Sequence, residues 1–117
     1  MKRDALLRYA REHSNAEPEY LWRKFPAYAV LRHQKNNKWF GIVMNVPGRK
    51  LGLKTDEETD VLVIKARPEY IGSLRQKEGI LPAYHMNKEH WISVLLSGPL
   101  PAKAVYELLA ESYALTA

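Results

Sequence analysis

Ten consecutive residues, Pro82-Ala83-Tyr84-His85-Met86-Asn87-Lys88-Glu89-His90-Trp91, hold the side chains best suited to chemistry. Their rings, amide and cation would suit an active-site loop, a recognition loop or a crowded hairpin corner. The two histidines raise the question of a metal. His85 and His90 are spaced neither as a helical i,i+4 pair nor as a His-Glu-x-x-His motif. Glu89 is the one carboxylate beside them, whereas zinc takes three or four protein ligands. No metal is expected, and the imidazoles read as hydrogen-bonding groups of a corner. Nucleophilic catalysis finds no frame either. Ser73, Ser93, Ser97 and Ser112 fall in regular elements or at a turn, and none stands in a Gly-x-Ser-x-Gly elbow. Asp56-Glu57-Glu58 has the composition of paired catalytic carboxylates but reads as a solvated loop. The glycines at 41, 48, 52, 72, 79 and 98 form neither a phosphate loop nor a dinucleotide fingerprint. The expectation is a non-enzymatic protein without a cofactor.

The elements that must position these residues follow from periodicity. The coarse order is helix, three strands, helix, two strands, helix. Leu6, Tyr9, Ala10 and His13 recur at helical spacing, and Ser14-Asn15 ends that run. Strand composition spans Tyr28 to His33, with Gln34-Lys35-Asn36-Asn37-Lys38 as a polar turn. In Trp39 to Val46 the even positions Phe40, Ile42, Met44 and Val46 are expected to face the core, the odd ones the other way. Pro47-Gly48-Arg49-Lys50 is a second turn. Val61 to Ala66 is apolar almost throughout, which predicts a central strand. Pro68 suits the first position of a helix, with Gly79 as its C-terminal cap. A short strand over Ala83 to His85 is expected before Trp91 to Leu96, where Ile92, Val94 and Leu96 point inward. Pro101 starts a last helix with Val105, Leu108, Leu109 and Ser112 on one stripe. The fold class read from this order is α+β: a two-layer sandwich with helices on one face of an antiparallel sheet.

Charge narrows the partners. The chain has 117 residues and a formal net charge of +5, with a pI near 9.5. Between Glu19 and Asp56 there is no acidic residue, while Arg23, Lys24, Arg32, Lys35, Lys38, Arg49, Lys50, Lys54 and His33 lie there. A field of one sign favours polyanions, although such residues also solvate ordinary loops and sheet faces. The candidate nucleic-acid contacts are Arg32, Lys35, Asn36, Asn37, Lys38, Arg49, Lys50, Lys54 and Lys88, projected from adjacent hairpins of one sheet. Trp39, Tyr84 and Trp91 could stack on unpaired bases or simply finish a core. Cysteine is absent, which excludes disulfides and thiolate chemistry and suits a reducing compartment. The charged start of the chain does not read as a secretory signal, and no apolar run approaches the ~20 residues of a membrane span. The expectation is one soluble, cytoplasmic, monomeric domain over residues 1–117, with DNA as partner.

Several segments together resemble the MmcQ/YjbR family over Trp22 to Tyr113. They are Tyr28-Ala29-Val30 leading to Arg32-His33, Asn37-Lys38-Trp39-Phe40, the strand of Met44, and Val61-Leu62-Val63-Ile64-Lys65. Gly79 through Lys88, His90-Trp91-Ile92 and Glu111-Ser112-Tyr113 complete the set. The resemblance implies an α-β-β-β-α-β-β-α fold, similar to secretion chaperones and more loosely to frataxin. It also implies DNA binding through paired hairpin wings, and no catalytic residue. Frataxin-type iron handling needs an acidic first helix. Here that helix carries Lys2, Arg3, Arg8 and Arg11 against Asp4 and Glu12, a poor match for a hard cation that wants oxygen ligands. The rival reading is a protein or peptide adaptor, from the chaperone-like topology and an exposed Trp39/Trp91 sheet face. An enzyme acting on a small anion, with His85 to His90 as a pocket wall, stands third.

Overall fold

The computed structural model describes all residues, 1–117. Helix α1 (Arg3–Ser14) leads to β1 (Ala29–Arg32), β2 (Trp39–Pro47) and β3 (Glu58–Lys65). Then come α2 (Pro68–Leu74), β4 (Ile80–Pro82), β5 (Trp91–Leu95) and α3 (Ala102–Thr116). The five strands form one sheet in the order β1-β2-β3-β5-β4, and every neighbouring pair is antiparallel. The apolar run from Val61 is indeed central, paired with β2 on one side and β5 on the other. Its alternate side chains serve two cores. Leu62 and Ile64 join Leu6, Ala10, Ile71, Val105 and Leu109 from the three helices, while Val61 and Val63 face the opposite side.

That opposite side is where the sequence reading needs correction. Ile42, Met44 and Val46 do face a core, but the helix-free one, with Tyr28, Val30 and Ala83. Phe40 does not share their face. The pairing steps from Leu31↔Gly41 to Arg32↔Trp39, so Phe40 is an extra residue in the ladder. Such a bulge re-aims the side chain, and Phe40 turns to the helices beside Val43. Because α1, α2 and α3 all lie on one side, the second cluster is covered by no α-helix but by loops and by Leu51 of the short 3-10 turn Gly48–Leu51. Residues 15–28 bring Trp22 to it, and residues 83–90 bring Tyr84 and Met86.

Two further expectations shift. The fourth strand is Ile80–Pro82 rather than Ala83 to His85, pairing Ile80 with Val94 and Pro82 with Ile92. A proline fits there because β4 is an edge strand, and His85 leaves the extended region altogether at φ 59°. Gly79 does not cap α2, which ends at Leu74 and is followed by Arg75 in the right-handed region. Gly79 instead takes φ 92° in the turn before β4, and a Cβ there would lie 2.9 Å from Pro99 Cδ.

Candidate nucleic-acid interface

Lys35, Asn36, Asn37 and Lys38 form the exposed β1–β2 turn. Asn36 is largely structural: its Nδ2 donates to Thr116 O (2.9 Å) and its Oδ1 accepts from the Lys38 amide (2.8 Å). Asn37 takes φ 61°, a conformation asparagine tolerates in turns. The Asn36 amide is therefore not free to read bases without undoing this turn, whereas the exposed Asn37 side chain makes no hydrogen bond within the chain. Lys35 and Lys38 make no ion pair. Arg32 does, with Glu19 at 2.9 Å. His33, counted with the basic stretch, is buried. Its Nε2 lies 2.9 Å from both Tyr113 O and Thr116 Oγ1, joining β1 to the end of α3.

The second turn is a one-turn 3-10 helix, Gly48–Leu51. Arg49 pairs with Asp56 at 3.0 Å, and the Gly48 amide bonds Glu57 O at 2.9 Å. The acidic block thus folds back beside Arg49 and Lys50 and dilutes their field. The two turns also do not converge. Successive hairpins of an antiparallel meander open at opposite ends, and β2 between them has nine residues. At ~3.3 Å per residue they stand about 30 Å apart. Lys88 lies in the β4–β5 loop, at the same end of the sheet as Lys35 and Lys38, since Trp91 pairs with Lys65 and Trp39 with Arg32.

The helix-free face supplies what the turns lack. Residues 15–28 are pinned beside β1 by a two-way bridge between Glu19 and Val30. From there Trp22 meets Trp39 edge-on, with ring centres 5.7 Å apart and planes at 88°. Phe25 stacks on Tyr28 at 4.7 Å. Together with His85 and Met86 these rings enclose an apolar cavity of about 240 Å³ floored by Ile42 and Met44. Burial, then the neighbouring Tyr84 and Glu58, hold the Tyr28 phenol above its ordinary value of 10.0. Tyr20, Leu21 and Phe25 are each about half exposed, and exposed Arg23 and Lys24 sit between Trp22 and Phe25 without an acidic partner.

The sequence points to Trp39, Tyr84 and Trp91 on this face but not to residues 20–25. Their signal was present as three rings, Tyr20, Trp22 and Phe25, within six residues that follow neither helical nor strand periodicity. The segment from Tyr84 to Trp91 divides its roles. His85 and Met86 line the cavity, whereas Asn87 makes the bend: its Oδ1 accepts from the Glu89 amide at 2.7 Å and its carbonyl from Trp91 at 2.9 Å. No cation lines the cavity, so it does not suit a small anionic substrate. No group of three or more His, Cys, Asp or Glu could hold a metal ion, and no helix is long and apolar enough to cross a membrane.

The family model described as YjbR matches residues 12–115. The chain belongs to the YjbR family. Within it, the Bacillus subtilis protein YyaQ is 44% identical over 116 residues, covering 99% of this chain and 98% of that one. A crystal structure of a Pseudomonas syringae protein is 49% identical and covers 100% of both chains, with a TM-score of 0.98. A Deinococcus radiodurans protein of domain family DUF419 is 26% identical and covers 96% of this chain and 75% of its own, with a TM-score of 0.71. The α+β sheet order described above is therefore that of YjbR-family structures.

Proposed function

We propose that this YjbR-family protein is a non-enzymatic DNA-binding domain whose contact surface is the helix-free face and the β1–β2 turn. The carrying observation is that residues 20–55 contain no acid and yet present Arg23, Lys24, Lys35 and Lys38 exposed and unpaired. Unpaired cations retain the charge that phosphate contacts need, and binding through them releases condensed counterions. Arg32 and Arg49, engaged with Glu19 and Asp56, contribute less. Lys50 and Lys54 form a second, weaker foothold beside the acidic block, and Lys88 adds to the end that carries Lys35. Anisotropy of a labelled duplex at low salt tests the reading. Arg23→Ala/Lys24→Ala is expected to weaken binding, whereas Arg32→Ala changes it little. Failure of the wild-type protein to bind any DNA would refute it.

The adaptor reading keeps one specific support, the half-exposed Phe25 at the cavity, with Tyr20 and Leu21 half exposed in the same segment. Recovery of a single protein partner after nuclease treatment, with no DNA binding by the purified chain, would favour it.

A further inference from the structure

We infer that the cavity walled by Trp22, Phe25, Trp39 and Met86 receives one unpaired base of a DNA strand whose adjoining phosphates meet Arg23 and Lys24. The inference rests on the DNA-binding reading above and adds to it a base-recognition site. At about 240 Å³ the cavity falls below the ~300–1,000 Å³ of pockets for drug-sized ligands, so it suits a single ring system. Its lining fits that content. Apart from the Tyr28 hydroxyl and the His85 ring, every lining side chain is an aromatic, an aliphatic or a methionine. A ligand must therefore bring a flat, weakly polar body and leave any charge outside. Arg23 and Lys24, exposed and without an acidic partner, lie in the chain between the wall residues Trp22 and Phe25, close enough in sequence to meet such a charge. A nucleotide within a strand has this construction. Phe25, with one side against Tyr28 and 47% exposed, is placed to stack on a base. The loop that brings His85 and Met86 to the cavity turns at His85, whose backbone is left-handed at φ 59°.

A hydrophobic side chain of a protein partner would also fit the volume. The absence of any acid from residues 20–55 selects the polyanion. The test compares binding of an oligo-dT strand with an abasic strand of equal length, followed by tryptophan fluorescence and affinity. The base-bearing strand is expected to bind about 5- to 150-fold more tightly, the worth of one stacked base, and to change the tryptophan emission. Phe25→Ala, at a position 47% exposed, is expected to erase most of that margin, with the far-UV circular dichroism of the variant compared with wild type to check its fold. Equal affinity for the two strands, or a margin that survives Phe25→Ala, overturns the site and leaves the DNA-binding reading standing. No binding by either strand overturns the site, and overturns the DNA-binding reading as well if a duplex at low salt also fails to bind. A change in tryptophan emission on adding a neutral leucine-bearing peptide free of tryptophan, with none on adding oligo-dT, overturns it in favour of a protein ligand.

Discussion

At the scale of single residues, the buried hydroxyl of Ser112 joins two layers of the fold. It donates to Phe40 O at 2.6 Å and accepts from the Lys65 amide at 2.9 Å. Ser112→Ala leaves both backbone groups without a partner, which costs ~1–3 kcal/mol. The urea midpoint should fall at unchanged m, whereas Ser97→Ala, exposed, should move stability by no more than about 0.5 kcal/mol. A Ser112→Ala midpoint equal to wild type would contradict this role. Tyr28 makes a pH prediction whose sign is fixed. Its phenol is raised by burial and by neighbouring Tyr84 and Glu58, so the fold favours the neutral form. That contribution is complete below the unfolded value near 10.0 and is lost as pH rises through the higher folded value. Tyr28→Phe should therefore unfold less steeply in alkali than wild type, and superimposable alkaline unfolding curves would count against it.

At the scale of elements, the turn before β4 carries the sharpest constraint. Gly79 has φ 92° and a Cβ there would press on Pro99 at 2.9 Å, tying the α2–β4 turn to the β5–α3 connection. Gly79→Ala is expected to cost ~1–3 kcal/mol. Gly52→Ala also sits at positive φ, with nothing within 4 Å, and should cost less. Thermal melts of the two variants decide the order. Much of this level was legible in the sequence: the three helices, the turn at Asn37 and the central β3 all follow from periodicity and turn chemistry. Phe40 was not legible, because a bulge depends on the β1–β2 register and leaves the alternation of β2 looking regular. Gly79 was misread for a related reason. A glycine five residues past a short helix resembles a cap until the approach of Pro99, twenty residues later, shows why the side chain is missing.

At the scale of the whole molecule, the arrangement of charge decides how the protein meets a partner. The acid-free stretch is visible in the sequence, but its dispersal is not. Adjacent hairpins sent to opposite ends of the sheet, and two arginines drawn into pairs with Glu19 and Asp56, follow from topology and from acids outside that stretch. The aromatic cavity was hidden likewise, because its walls come from segments separated by sixty residues of chain. The most direct test is the salt dependence of duplex binding. Four phosphate contacts by Arg23, Lys24, Lys35 and Lys38 predict a slope of log K against log salt of about −3.6, falling to about −1.8 in Lys35→Ala/Lys38→Ala. Absence of binding at low salt, or a slope untouched by that double substitution, would contradict the account.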